Sequence, residues 1–317
     1  MTQRRAVAAG LWAIAAALGA FQASLPAEET AEEAATSRRS DSVRIGMVDS
    51  LFKEVPKPML TLIMQPFATL MQQQTGLTGQ IIADGEYTNL SQDLANDKVQ
   101  LGVFHGIEFA WARLRHPELK PLMIAVTQQH HLRAYLIVRS DFGGEKLADL
   151  QGKDIGLSRS TREHCHLFLA KYCKKEGHEP KHFFGKITTP PNPEDALDKV
   201  YEDEIQATIV DNIALESYKR RKPGRFEQLQ PILISEIFPA GVVAYHPGAV
   251  DAETLRRFRD GMATANQSPL GRQLMTLWKL TAFEPIPADY EKTLDEIVKA
   301  YPPPPETKVQ AEKKVKK

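Results

Sequence analysis

Short apolar runs of strand length alternate with longer segments of helical spacing throughout this chain, and that rhythm restricts it to an α/β architecture. VRIGMV (43–48), GQIIAD (79–84), QLGVFH (100–105) and PLMIAV (121–126) form a first strand series. Between the first two, PMLTLIMQPFATLMQQQTG reads as a helix closed by Gly76, with Pro66 expected to kink it or to mark its start. NLSQDLAND supplies the next helix. AYLIVR (134–139) then opens a second series: KDIGLS (153–158), a helix from Thr161 to Glu176, HFFGKI (182–187), a helix in PEDALDKVYEDE, and IQATIV (205–210). A helix over Asn212–Arg221, the strand PILISEI (231–237), the strand GVVAYH (241–246) and helices near 251–265, 269–280 and 287–300 complete the pattern.

A pattern that restarts in this way, with a strand and helices left over, predicts two lobes and a chain that crosses between them twice. The crossings are expected near Tyr135–Arg139 and near Glu236–Gly241. This gives one lobe from 43–136 plus 239–302 and the other from 137–238. Two such lobes close like a hinge around a ligand in the cleft.

The ends read differently. Arg4 and Arg5 precede the uncharged apolar run Ala6–Phe21, so residues 1–27 have the form of an export signal. The run is shorter than the ~20 residues a spanning helix needs, which favours cleavage over a permanent anchor and places the protein outside the cytoplasm. Residues 28–42 are polar enough for a flexible spacer, and the prolines after Tyr301 end the last helix, leaving 303–317 as a solvated Lys-rich tail. Lys plus Arg number 40 and Asp plus Glu 40, so no charge excess points to nucleic acid. Two cysteines allow at most one disulfide, and stability must come from a buried core.

The succession VRIGMVDSLFKEVP, GEYTNLSQDLANDKVQLGVFHGIEFAWA, AYLIVRSD with KLADLQGKDIGLSRST, and ALDKV with IQATIVDNIALESY resembles the periplasmic phosphonate-binding proteins of ATP-driven importers. These proteins are a branch of the type 2 periplasmic binding fold, and the resemblance covers about residues 43–295. It implies mixed sheets flanked by helices in two lobes, a ligand in the hinge cleft, a membrane permease as partner and no chemistry performed on the ligand. No cofactor is expected.

Ser158, Ser160 and Thr161 lie between a strand end and a helix start, where backbone N–H groups and hydroxyls favour an oxyanion. The alternative is that Ser160 or Thr161 only caps the helix, with Glu163 completing a capping box. The family pattern here is Ser-Thr-Ser-Gly, which this chain replaces with Ser160-Thr161-Arg162-Glu163. Arg162 is suited to a carboxylate, phosphate or sulfonate, and Glu163 either neutralises it or meets a ligand amine. The family's Gly-Pro loop with its tyrosine corresponds to His105-Gly106-Ile107-Glu108-Phe109, so a hydroxyl is lost while His105 and Glu108 are gained. The TTPPNPEDAL stretch lacks the histidine that phosphonate binders tend to carry before this helix. The expected ligand is therefore a small anion or zwitterion, phosphonate-like or another phosphorus or sulfur oxyanion.

Tyr87 matches an aromatic position lining the cleft in the relatives, and Asp211 resembles their acidic residue after the equivalent strand. Asp211 either accepts from a ligand amine or caps the next helix. Ser50 and Leu51 follow the first strand at the end where open α/β sheets bind ligands. His164, Cys165, His166, Cys173, His178 and His182 raise the question of metal. Cys165 and Cys173, however, stand about 12 Å apart along a helix, and no CxxC or HExxH spacing occurs, so no metal site is assigned. No G-x-S-x-G elbow, Walker A or GxGxxG accompanies the acids, and an enzyme is not expected. The rival to an importer component is a sensory or partner-binding module that uses the same clamp and reports to a membrane sensor.

Overall fold

The computed structural model describes residues 42–52, 57–83 and 85–305. The proposed export signal, the spacer up to residue 41 and the tail beyond residue 305 lie outside the described residues. In chain order the elements are β1 (Ser42–Met47), a short 3-10 turn (Asp49–Phe52), α1 (Lys57–Thr75), β2 (Thr78–Ala83), α2 (Tyr87–Ala95), β3 (Leu101–Phe104), α3 (Gly106–Arg113), β4 (Lys120–Val126), β5 (His131–Leu132) and β6 (Ala134–Arg139). Next come β7 (Ile155–Gly156), α4 (Glu163–Lys175), α5 (Pro180–Phe183), β8 (Ile187–Thr188), α6 (Pro193–Tyr201), β9 (Ala207–Asp211), α7 (Asn212–Arg221), α8 (Pro223–Phe226) and β10 (Leu229–Ile234). The chain ends with β11 (Phe238–Pro239), β12 (Gly241–Tyr245), α9 (Ala252–Ala263), α10 (Pro269–Leu277), β13 (Ala282–Glu284) and α11 (Tyr290–Ala300).

These strands form two mixed sheets and a small ribbon. The first sheet has the order β13-β4-β12-β3-β1-β2, and the second β10-β6-β9-β7-β8. In each, three parallel strands come from βα units: β2-β1-β3 in the first and β8-β7-β9 in the second. The strand beside them, β12 or β6, runs antiparallel and is the one that enters that sheet just after a crossing. The ribbon pairs β5 with β11, Phe238 opposite Leu132 and Pro239 opposite His131, so the two crossings lie side by side.

Alternating side chains bury both faces of each sheet. In the second sheet Leu136 and Val138 join Phe168, Leu169 and Phe183 of α4 and α5, while Ile137 between them joins Leu197 and Val200 of α6 with Leu215 and Tyr218 of α7. In the first sheet α1, α9 and α10 cover one face through Phe67, Leu70, Phe258 and Leu274, and α2, α3 and α11 cover the other through Leu90, Phe109 and Ile297. Each such side chain contributes about 1.5–3 kcal/mol by leaving water. This mixed, two-lobed α/β arrangement is the fold class read from the sequence.

Local differences have identifiable causes. HFFGKI is not one strand: Pro180 sits in the first turn of α5, and only Ile187–Thr188 pairs. Phe183 is turned into the core instead. β6 lies wholly in the second sheet, so the first crossing runs over residues 127–133 rather than 135–139, and a division at 136/137 cuts through a paired strand. Pro66 lies inside α1, which continues past it to Gly76, where φ is +71° and the N–H bonds Gln72 O at 2.9 Å. The helix α3 and the strand β13 had no separate sequence signal, because Gly106–Arg113 is apolar almost all round and β13 has three residues.

Candidate ligand-binding cleft

Open α/β sheets bind ligands at the carboxyl ends of strands where successive connections leave to opposite faces. In the first sheet β1 is flanked by β2 and β3, with α1 on one face and α2 on the other; in the second, β7 is flanked by β8 and β9, with α4 and α6 on opposite faces. The predicted residues follow the ends of these strands. Ser50 and Leu51 come after β1, His105 after β3 and Ser158 after β7, while Asp211 closes β9.

On the first lobe, the Ser50 hydroxyl donates to Glu108 Oε2 at 2.7 Å, which fastens the turn after β1 to the first turn of α3. Asp49 N donates to Gly85 O at 2.8 Å, bringing the start of α2 to the same place. Tyr87, the first residue of α2, has its ring 5.5 Å from that of Trp111, and Leu51 packs beside it on the same cluster. Glu108 is buried, and burial pushes its carboxyl above the usual range. His105, the Ser50 hydroxyl and the His105 backbone oppose that shift, while Glu163 of the other lobe adds to it. Gly106 begins α3, and a Cβ there would stand 2.4 Å from the carbonyl oxygens of Pro239 and Ala240, so only glycine lets this helix end lie on the second crossing.

On the second lobe, Arg162 is already engaged. Its Nε is 2.9 Å from Asp211 Oδ2, and Nη1 donates to Thr127 Oγ1 at 2.9 Å, so it ties the start of α4 to the start of α7 and to the first crossing. Asp211 is buried and also caps α7, accepting from Ala214 N at 2.7 Å. The capping alternative thus applies to Asp211 and fails for Ser160 and Thr161. The residue before α4 is Arg162, which makes no side-chain cap bond, and Glu163 is the first helical residue rather than the third, where a capping box requires it. Ser158 and Thr161 bond each other through their hydroxyls at 3.0 Å, and Ser160 is half-buried beside them.

Helix caps differ across the molecule. Side chains of Asn192, Asp211, Asp251 and Ser268 cap α6, α7, α9 and α10. The helices α2, α3 and α4, like α11, begin without one. The helices α2, α3 and α4 thus begin just after β2, β3 and β7 with N–H groups that no preceding side chain caps, a setting that favours a small anion, while Glu108 and Glu163 in the first turns of α3 and α4 offset part of the positive charge of those two helix ends.

Two participants escaped the sequence. Thr127 lies in a crossing with no motif of its own. His164 reads as one of several histidines in a cluster, yet it is buried with its ring 5.3 Å from that of Phe238 in the hinge ribbon. Of that cluster, Cys165 and Cys173 are buried free thiols and His166 is exposed, and no group of three metal-binding side chains occurs among the described residues. Beside the cleft an open hollow of about 430 Å³ is lined by Gln129, His131, Arg133, Tyr135, Asn212, Glu216 and Arg220.

A family model described as "ABC transporter, phosphonate, periplasmic substrate-binding protein" matches residues 56–290. The chain belongs to this family. Family members are substrate-binding components of transporters and are periplasmic by description. PhnD1 of Prochlorococcus marinus, solved in complex with methylphosphonate, is similar at TM-score 0.53 with 13% identity, over 82% of this chain and 98% of its own. XAC2383 of Xanthomonas citri, solved bound to ATP, is similar at TM-score 0.53 with 16% identity, over 83% of this chain and 100% of its own. At such identities these structures share the fold. No curated protein matches the chain in sequence.

Proposed function

We propose that the protein captures a small oxyanion, a phosphonate foremost, between its lobes and presents it to the permease of an ABC importer without breaking any bond in it. The observation that supports this reading is that α2, α3 and α4 begin without a side-chain cap just after β2, β3 and β7, at the carboxyl ends of the parallel strands of both sheets, in a chain of this family. The lobes are taken as the parts of the chain contributing to each sheet, joined at the β5–β11 ribbon. Ser158, Ser160 and Thr161 would supply hydroxyls to the anion and Tyr87 an aromatic wall. Arg162 supports the site by fixing Asp211 and Thr127 rather than by clamping the ligand. Ligand contacts made by both lobes favour closure only through their higher affinity for the closed state. Export is inferred from the family and from the form of residues 1–27; among the described residues no helix is long and apolar enough to cross a membrane. Calorimetry and small-angle scattering with methylphosphonate, phosphite and methanesulfonate test the proposal. Heat with a decrease in radius of gyration is expected for at least one of them, and neither heat nor closure with any would overturn it.

A further inference from the structure

The helix α4 is buried on two faces. Cys165, Phe168 and Leu169 pack one of them on its own sheet. The other carries His164, Leu167 and Lys171 at i, i+3 and i+7, and meets the second crossing and the first lobe. The His164 ring lies 5.3 Å from that of Phe238, and Leu167 packs on the first-lobe cluster of Phe109, Trp111, Ile297 and Tyr301. Lys171 Nζ donates to Glu236 Oε1 in the second crossing and stands 4.3 Å over the ring of Tyr301, the residue that follows α11. At its N-terminus the same helix reaches the first crossing, through Arg162 and Thr127.

Tyr301 gathers these contacts. Its hydroxyl donates to Glu236 Oε2 at 2.7 Å, its ring lies 4.7 Å from that of Phe238, and its carbonyl accepts from Trp111 Nε1 at 2.8 Å. The two oxygens of one carboxylate therefore hold a lysine of the second lobe and a tyrosine of the first. The Trp111 ring is the one that Tyr87 meets at 5.5 Å beside the cleft. Tyr301 is buried and Lys171 half-buried, and hydrogen bonds with an ionised partner are roughly twice as strong as neutral ones. Burial pushes the Glu236 carboxyl up, but the bonds from Lys171 and Tyr301, with a backbone bond and the ammonium charge, outweigh it and hold it below the usual range.

We infer that Lys171 and Glu236 are positioning residues for ligand capture: with Tyr301 they form a latch that fixes the angle between the lobes, about 12 Å along α4 from the helix end at the cleft. A two-lobed clamp holds a ligand only as far as its walls are already aligned, or as the ligand's contacts meet the cost of aligning them. Without the latch the lobes sample wider angles, and each binding event must order them again. Affinity then falls although the change lies outside the cleft. This rests on the reading that a ligand binds between the lobes, whereas the latch itself is a property of the ligand-free protein.

The test is small-angle scattering of the ligand-free whole protein together with methylphosphonate calorimetry. Lys171→Met is expected to increase the radius of gyration and to weaken binding about tenfold, within the ~5–150-fold usual for coupling between separate sites. Glu236→Gln keeps the side chain's shape and an acceptor for Tyr301 and should act in the same direction. The double variant should lose no more than the worse single one, because both remove the same ion pair. Lys171→Arg should recover most of the affinity. Lys175→Met is the control, since that ammonium lies 4.5 Å over the Tyr172 ring of its own helix. Unchanged scattering or affinity in a folded Lys171→Met, tighter binding, or equal losses in Lys175→Met would overturn the latch, as would a lower melting temperature as the sole change. If Lys171→Met does not fold, Glu236→Gln decides. If methylphosphonate gives no heat with the unmodified protein, the oxyanion reading falls, and scattering of the ligand-free variants still decides whether the latch fixes the angle.

Discussion

Replacing Gly106 by alanine puts a methyl carbon 2.4 Å from two backbone oxygens, those of Pro239 and Ala240, and 2.7 Å from the Pro239 carbonyl carbon. Ordinary contact begins at 3.4 Å, so the first turn of α3 and the second crossing must separate by about 1 Å. No side chain can swing away to relieve these contacts, because the three nearest atoms all belong to the backbone. Overpacking of this kind costs ~1–3 kcal/mol, of which the better helix propensity of alanine returns at most ~1 kcal/mol. A loss of roughly 1–2 kcal/mol lowers the melting temperature by about 2–4 °C per kcal/mol in a protein of this size. The same shift carries the His105–Gly106 helix end away from the cleft, so methylphosphonate should bind about tenfold more weakly, equivalent to ~1.4 kcal/mol. Gly143→Ala is the control, since a Cβ there has nothing within 4 Å. Thermal unfolding and calorimetry read both effects. If Gly106→Ala melts and binds like Gly143→Ala, the packing argument is wrong.

Acid should weaken the fold through His164. Its pKa is lowered from 6.5 to about 4 in the folded state, so between those values the unfolded chain binds the proton more readily and stability falls as pH falls. At about 1.4 kcal/mol per unit the contribution is on the order of 3 kcal/mol, present in full above pH 6.5 and gone below pH 4. Urea denaturation at intervals from pH 7 to 4 should show a slope that His164→Phe removes; the same slope in that variant would rule out His164 as its source. Asp211→Ala removes the cap of α7 and the carboxylate that holds Arg162, and should cost about 1–2 kcal/mol for the cap alone. Asp211→Asn, which keeps a capping oxygen, should recover most of that in the same denaturation assay, and equal losses in the two variants would count against the capping role.

Hydrophobic periodicity determines strands and helices wherever an element spans several residues with one buried face. This made both βα series readable, and even the helix over Asn212–Arg221, with Asp211 as its cap, has matching bounds in sequence and structure. What periodicity does not encode is the position of short pairings made between distant segments. The β5–β11 ribbon has two residues a side and exists because His131–Leu132 and Phe238–Pro239 meet, so no local pattern announces it. The candidate site divides along the same line. Strand-end residues such as Ser50, His105, Ser158 and Asp211 follow from the position of ligands in open sheets. By contrast, the engagement of Arg162 by Asp211 and Thr127 depends on how α4, α7 and the first crossing pack. That depth likewise separates His164 from His166, two residues on in one helix, one buried and the other exposed.

The strand order also governs how this molecule can be assembled. The second sheet is built from one uninterrupted stretch, β6 to β10, and contains all its strands once residue 234 has emerged. The first sheet has β12 between β3 and β4, its first four strands arriving early and their central partner only after the whole second sheet has been made. Until then β3 and β4 each present an unpaired edge and the apolar faces that β12 would join remain open. A nascent chain therefore carries an incomplete first lobe for more than a hundred residues of synthesis or translocation, and the order in which its parts are delivered makes early closure of that lobe impossible.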